Sequence, residues 1–219
     1  MKILALTLLT LATTCSAFSE EDWTNLFKDA SHEDFYFTFI EDTKPEDVFK
    51  FTDDGTLLVE GKGKPIGFIQ TLDEYTSYEI QTDWRWPNEA GNGGIQLHCA
   101  SYPHTSIWPE SIEVRLTHKH TGDFWLRGMT IEVEQAQMPK KAAERNKRYR
   151  LLDKEKKPGE WNELQILVTK KEIAVSLNGK RVNKGINPSS TSGYITIKSE
   201  DSDIEFRNFK IRKLNEEYP

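Results

Sequence analysis

Two short segments of the sequence place acid–base and hydrogen-bonding side chains at alternate positions. Gln96 and His98 alternate with apolar residues in GIQLHC, and Glu113 and Arg115 do the same in SIEVRL. A carboxylate or an imidazole can remove a proton, while a guanidinium or an amide can donate hydrogen bonds to an oxygen that gains negative charge. These residue types therefore predict proton-transfer chemistry on a polar substrate.

The loop that follows the second segment adds further candidates, namely His118, His120, Asp123 and Trp125. The two histidines and the carboxylate could ligate a divalent cation, but their spacing is unspecific, and histidines in an exposed loop are more often solvated. We therefore expect no cofactor, and a divalent cation stays open as the alternative. An indole ring can stack on the apolar face of a sugar, so Trp125 and Trp108 are candidate substrate-binding residues.

The elements that must position these side chains are strands, because apolar residues recur with a period of two. In YEIQTDWRW the apolar residues Tyr78, Trp84 and Trp86 alternate with polar ones, which predicts core positions for both tryptophans. The same pattern returns in about ten short segments, and Asn178-Gly179 predicts a tight hairpin between two of them. The sequence therefore predicts an all-β sandwich of two antiparallel sheets.

The pleat of these strands predicts where the polar side chains point. If the apolar residues of both segments face the core, then Gln96, His98, Glu113 and Arg115 point together off the opposite face of one sheet. This arrangement requires the two strands to be neighbours, which the sequence does not establish. Loops that wall such a surface would form a groove of the size of a carbohydrate.

Composition limits the class of protein. The chain has 219 residues, 37% of them hydrophobic, which is enough for a core. Its 2 cysteines exclude a disulfide scaffold and a cysteine-based zinc site, and no segment is long and apolar enough to be a transmembrane span. The net charge of -6 disfavours nucleic acid as a partner. Basic residues concentrate in 138–159, but Tyr149 is the only aromatic residue there, so we interpret this segment as a solvated excursion.

The first 17 residues are typical of a secretory signal peptide, with one lysine, a short apolar run and small residues that end at Ala17. We expect residues 18–219 to form a single domain with its core at about 23–214. The protein is therefore predicted to be exported to the periplasm or the outer surface, either free or with a lipid anchor at Cys15.

Six motifs in order along the chain resemble the 3-keto-disaccharide hydrolase family. They are NGGIQLH from residue 92, WPESIEVRL from 108, GDFW from 122, GEWN from 159, VSLNG from 175 and IEFRN from 204. The chain has His98 where this family often has arginine, and Arg115 where it often has glutamine. The resemblance implies a concanavalin-like jelly roll and activity on 3-keto-glycosides or related sugars in bacterial exported proteins. Carried over by motif, the functional residues are Gln96, His98 and Glu113.

The implied chemistry is a proton abstraction. A carbonyl at C3 of a sugar acidifies the proton at C2, so a base that removes it can expel the C1 oxygen by elimination, after which water adds back. Our hypothesis takes Glu113 or His98 as the base, and Arg115 and Gln96 as the groups that hold the enolate oxygen. The residues that assist the leaving group are drawn from His118, His120 and Asp123.

Two other classes of function stay open at this point. A noncatalytic glycan-binding module would keep the groove and its tryptophans, and would bind an oligosaccharide or glycoside without cleaving it. A structural or interaction domain would bind no sugar and would use the basic segment 138–159 as its contact surface.

Overall fold

The computed structural model describes residues 22–100 and 107–215. The predicted signal peptide and the predicted anchor at Cys15 lie outside these residues. Within the two described ranges, none of the helices has the length and hydropathy that a bilayer crossing requires.

Fifteen strands make up nearly all of the regular structure in the part of the chain that is described. They are β1 Thr24–Asn25, β2 Phe35–Phe39, β3 Phe49–Phe51, β4 Leu57–Val59, β5 Gly67–Thr71, β6 Tyr78–Arg85, β7 Gly94–Cys99, β8 Ser111–Arg115, β9 Phe124–Arg127, β10 Lys147–Arg148, β11 Asn162–Val168, β12 Glu172–Leu177, β13 Lys180–Ile186, β14 Tyr194–Ser199 and β15 Ile204–Lys213. The helices are single 3-10 turns at His32–Asp34, Pro45–Asp47, Gln135–Gln137 and Ala142–Glu144.

The strands form two antiparallel sheets. The first sheet has the order β13-β12-β11-β6-β15-β4-β3, with β1 also paired to β15, and the second sheet has the order β10-β9-β8-β7-β14-β5-β2. Strands that are distant in sequence are neighbours in both sheets, as in a jelly roll. The predicted all-β, two-sheet sandwich is therefore confirmed.

Alternation of apolar and polar residues builds the core between the sheets. In β6 every second residue is buried, and the predicted core residues Trp84 and Trp86 are at most 1% exposed, with their rings 4.8 Å apart in a T-shaped contact. Each such burial contributes about 1.5–3 kcal/mol to stability. The predicted hairpin is also present, because Asn178 and Gly179 both have positive φ, at 50° and 73°, between β12 and β13.

The basic segment 138–159 follows the edge of the second sheet. It contains the 3-10 turn Ala142–Glu144 and the short strand β10, which pairs with β9 and thereby adds an edge strand. The predicted excursion is thus partly ordered by backbone pairing to the strand that carries Trp125.

Candidate functional site

The strands β7 and β8, whose pairing the sequence leaves open, are neighbours in the second sheet, so two of the candidate side chains lie side by side. Gln96 is opposite Glu113, and the same row continues to Trp125 on β9 and to Thr196 on β14. Because side chains alternate between the two faces of a strand, all four point away from the core. We name the side of the second sheet that carries this row the outer face of the second sheet.

Glu113 lies at the centre of this face and is paired with a lysine. Its Oε2 is 3.1 Å from the Nζ of Lys198 on β14, and the side chains of Glu113 and Lys198 are 3% and 4% exposed. The same ammonium group is 3.0 Å from Oε1 of Glu200, whose side chain is 16% exposed. One buried cation therefore bridges two carboxylates, an arrangement that is costly to break from either side.

The environment of Glu113 raises the pKa of its carboxyl above the ordinary value, chiefly because burial penalises the charged form. The ammonium of Lys198 acts in the opposite direction and favours the carboxylate, while Glu200 opposes ionisation and Arg115 assists it. A carboxylate in this state is more basic than one in water, which suits proton abstraction.

The backbone of β7 leaves room for this carboxylate only because residue 94 is glycine. A Cβ atom at Gly94 would lie 2.7 Å from Oε1 of Glu113, closer than such contacts allow. The glycine at position 94 of the NGGIQLH motif is therefore needed to leave space for the Glu113 carboxylate.

Gln96 forms the floor beside Glu113. Its Nε2 donates to Oγ of Ser111 at 3.2 Å, and its Oε1 accepts from Oγ1 of Thr196 at 2.6 Å. The side chain is fully buried. Gln96 thus ties β8 and β14 together, and the predicted contact with an enolate oxygen would require it to exchange one of these partners.

The expectation that His98 shares this face is wrong. His98 adopts a φ of 53°, and between the Gln96–Thr196 and Cys99–Tyr194 pairs β7 contains one residue more than β14. Such a β-bulge shifts the alternation by one residue.

After the bulge, Cys99 takes the outer position and lies 3.7 Å from Oγ1 of Thr196. The His98 ring instead lies in the sandwich, 6.3 Å from the ring of Tyr78, and is fully buried. Burial lowers the pKa of His98 to about 4. This neutral imidazole faces the core, so it is not available as the base on the outer face.

Arg115 and the tryptophans do reach the face. The Arg115 guanidinium lies 5.2 Å from the ring centre of Trp125, and Nζ of Lys147 approaches the same ring at 5.9 Å. Trp108 covers the opposite end, with Nζ of Lys198 at 4.8 Å from its ring and the guanidinium of Arg127 at 6.0 Å. Aromatic surface and positive charge therefore surround the buried carboxylate.

The other predicted residues hold the loop between β8 and β9. Nδ1 of His118 lies 2.6 Å from Oε1 of Glu155, and Nδ1 of His120 lies 3.0 Å from Oδ2 of Asp123. Asp123 also accepts a hydrogen bond from the backbone N–H of Arg150. These contacts join the loop to the basic segment, beyond the Arg115 end of β8.

The two loop histidines thus have different carboxylate partners. Among the residues that the structure describes, no group of three or more His, Cys, Asp or Glu side chains is arranged to hold a metal ion.

Three residues of the outer face are not among the candidates predicted from the sequence: Lys198, Glu200 and Arg127. A signal for Lys198 exists, because Thr196 and Lys198 alternate with Ile195 and Ile197 in the period of a half-buried strand. A lysine at such a position is typical of an exposed face. Its pairing with Glu113, 85 positions away in the sequence, depends on β7 lying between β8 and β14 in the sheet.

Comparison with known proteins adds a family to this geometry. A family model described as "3-keto-alpha-glucoside-1,2-lyase-like domain" matches residues 22–212. A search of curated proteins gives no match.

Solved structures share the fold. A proposed glycosyl hydrolase from Parabacteroides distasonis is 26% identical, with a TM-score of 0.61, covering 88% of this chain and 99% of that chain. The carbohydrate binding module CBM66 from Bacillus subtilis is 11% identical, with a TM-score of 0.54, covering 81% and 95%. A Bacillus subtilis protein with a galectin-like fold is also 11% identical, with a TM-score of 0.53, covering 87% and 94%. The latter two similarities concern the sandwich fold alone.

Proposed function

Because the chain belongs to the family of 3-keto-alpha-glucoside-1,2-lyase-like domains, we propose that it cleaves the glycosidic bond of 3-keto-glycosides on the outer face of the second sheet. The observation that carries this proposal is the Glu113 carboxylate, which is buried, raised in pKa and held by Lys198. A base with these properties can remove the C2 proton, which the neighbouring C3 carbonyl acidifies.

The reaction has three steps in this proposal: proton abstraction, expulsion of the C1 oxygen and addition of water. Glu113 removes the C2 proton, the electron pair passes to the C3 oxygen as an enolate, and Arg115 donates hydrogen bonds to that oxygen. The C3 carbonyl then re-forms while the C1–O bond breaks and a C1=C2 double bond forms. Water supplies a hydroxyl to C1 and a proton to the departing oxygen, and Glu113 returns its proton to C2.

Lys198 acts through Glu113 rather than on the sugar. Its ammonium, 3.1 Å from Oε2, stabilises the ionised carboxylate against the cost of burial. Trp125, which is opposite Glu113 in the sheet, supplies a flat surface for the sugar ring, and Trp108 supplies a second one at the other end.

The test is incubation of the purified protein with an aryl glucoside and with its 3-keto derivative. Release of the aryl alcohol from the 3-keto derivative alone is the expected result. Release from both at equal rates would contradict a mechanism that depends on the C3 carbonyl, and release from neither would contradict cleavage.

A second candidate function, glycan binding without cleavage, has one observation in its favour. The Glu113 side chain is only 3% exposed and already engaged by Lys198. Binding of the 3-keto-glucoside by calorimetry, without any release of the aryl alcohol, would support this candidate instead.

We further propose that the protein is exported, on the basis of the sequence of residues 1–17. Cell fractionation tests the location, and labelling with a radioactive fatty acid tests the anchor. Label that disappears in a Cys15→Ser variant would support lipidation, and an unlabelled native chain would contradict it.

A further inference from the structure

The outward-facing arginines of the two sheets have different partners. On the first sheet three of them have a carboxylate, in the pairs Arg85 with Glu205 at 2.6 Å, Arg207 with Asp83 at 3.0 Å and Arg212 with Glu79 at 2.5 Å. The fourth, Arg181 on the edge strand β13, is exposed to solvent and forms no ion pair with the described residues. On the outer face of the second sheet, Arg115 and Arg127 form no ion pair with any residue in the described ranges. The Nε atoms of both are buried and have no hydrogen-bond partner there.

Arg127 is the less explained of these two cations. In the proposed reaction Arg115 faces the negative charge that develops on the C3 oxygen, and water protonates the departing oxygen, so neither step assigns a role to Arg127. The nearest acidic residues along the chain, Asp123 and Glu132, contact His120 and Asn187 instead. Glu110 lies against Gly128 and forms no ion pair with Arg127 among the described residues. A guanidinium that has no carboxylate partner among the described residues, in a chain of net charge -6, is a candidate to receive one from a ligand.

The register of the strands places Arg127 on a particular side of the reacting carbon. Along β8, Arg115 lies two residues after Glu113, whereas Arg127 on β9 is opposite Ser111, two residues before it. Arg115, Glu113 and Arg127 therefore follow one another along the sheet, and each step spans about 7 Å.

The atoms of the sugar follow the same order. C3 carries the oxygen that Arg115 holds, C2 carries the proton that Glu113 removes, and C1 carries the leaving group. A sugar seated with these contacts directs its leaving group toward Arg127 and Trp108, and away from the loop of His118 and His120.

From this order we infer that the leaving group of the substrate carries a carboxylate, which Arg127 binds beside the ring of Trp108. The inference rests on the proposed function, because the direction of the sugar follows from the roles of Glu113 and Arg115. It goes beyond that function by naming the chemistry of the leaving group.

A matched pair of substrates tests the inference. The two are 3-keto-glucosides with 4-carboxyphenyl and 4-carbamoylphenyl leaving groups, which are similar in size and differ in charge. We expect kcat/KM to be about tenfold or more higher for the carboxylate, as for a hydrogen bond to a charged group, and this preference should shrink in high salt. Equal kcat/KM values for the two substrates would overturn the inference.

Variants of Arg127 locate the source of the preference. Arg127→Met should reduce the ratio of the two kcat/KM values to about one to three, and Arg127→Lys should keep part of it, because it retains the charge and loses the planar fork. In the control Arg207→Met, on the other sheet, the ratio should stay at its native value. An Arg127→Met variant that lowers both kcat/KM values by the same factor would overturn the inference and assign Arg127 to the leaving oxygen itself.

The outcome remains readable if the proposed function fails. When neither substrate is cleaved by the native chain, calorimetric binding of the same two glycosides replaces kinetics. Tighter binding of the carboxylate that is lost in a folded Arg127→Met variant supports the anion site, and equal binding of both glycosides overturns it.

Discussion

The outer faces of the two sheets have the same pleat and similar residue types but use their charges differently. On the first sheet, arginines and carboxylates on neighbouring strands neutralise one another, and Trp161 is stacked with Arg85 and Arg207 at 4.4 and 4.1 Å. On the second sheet, Glu113 is buried beside Lys198 while two arginines have no carboxylate in the described residues.

The paired arginines and carboxylates of the first sheet neutralise one another, whereas the second sheet keeps charged groups that can pair with a ligand. Partly exposed ion pairs on a sheet contribute little to stability, about 1 kcal/mol or less each. A buried carboxylate with a raised pKa has a cost for the folded state, and such costs are typical of functional sites. The proposed chemistry therefore belongs to the second sheet.

Among these predictions, removal of Lys198 should have the largest effect on the stability of the outer face of the second sheet and on its pH dependence. Lys198→Met leaves Glu113 and Glu200 buried without their shared cation, so we expect a loss of about 3 kcal/mol of unfolding free energy. The pKa of Glu113 should rise further, which moves the acid limb of the kcat/KM profile to higher pH. Chemical denaturation and a pH–rate profile measure the two effects. A lower Tm with an unmoved acid limb would contradict the role of Lys198 in holding Glu113 ionised.

The steric fit at Gly94 gives the next prediction. Gly94→Ala places a Cβ against Oε1 of Glu113, so kcat/KM should fall about tenfold while the fold is kept. The control is Gly63→Ala, where a Cβ meets nothing within 4 Å but φ is +70°. That variant should lose stability and keep its turnover. Equal turnover of Gly94→Ala and the native chain would show that the carboxylate position is not critical.

His98 lies between the two sheets, so its replacement should affect stability and not catalysis. His98→Phe keeps a ring beside Tyr78, and turnover should change by less than about threefold, whereas loss of a general base costs about a hundredfold or more. A large loss of turnover in a folded variant would restore His98 as a candidate base.

The same variant carries a prediction about pH. The folded-state pKa of His98, about 4, is lower than the ordinary value of 6.5, so its contribution to stability is present above pH 6.5 and is lost as the pH falls toward 4. His98→Phe should remove this part of the acid destabilisation. Denaturation curves at several pH values measure the difference, and an unchanged slope between pH 6.5 and 4 would contradict it.

The ion pairs of the first sheet should give the smallest effect. Glu205→Gln removes the partner of Arg85, and because both side chains are partly exposed, at 20% and 31%, we expect a loss of about 1 kcal/mol or less. Turnover should stay at the native value. A large loss of turnover would place functional residues on both faces, and would contradict the assignment of the site to the second sheet alone.

The sequence predicted the fold and half of the site geometry for the same physical reason. Period-two burial determines which residues face the core, so the sandwich, the core tryptophans and the outward direction of Gln96 and Glu113 follow from the pattern. The pairing of Gln96 with Glu113 depends on the order of the strands, which the pattern leaves open. The pattern fails at His98, because a single extra residue with positive φ reverses the alternation and leaves no mark in the composition of the strand.

Contacts between distant segments were the other part that the sequence could not supply. Lys198 meets Glu113, and Glu155 meets His118, only after the chain has crossed between strands that are far apart in sequence. Local patterns carry no information on such partners. One of these partners, Lys198, favours the ionised form of the candidate base Glu113.

In the proposed reaction Glu113, and no comparable carboxylate on the other sheet, removes the proton from the sugar. The most direct measurement compares Glu113→Gln with Glu205→Gln for release of the aryl alcohol from a 3-keto-glucoside. We expect Glu113→Gln to lose about a hundredfold or more in turnover and Glu205→Gln to match the native chain. A folded Glu113→Gln protein with native turnover would show that Glu113 is not the base.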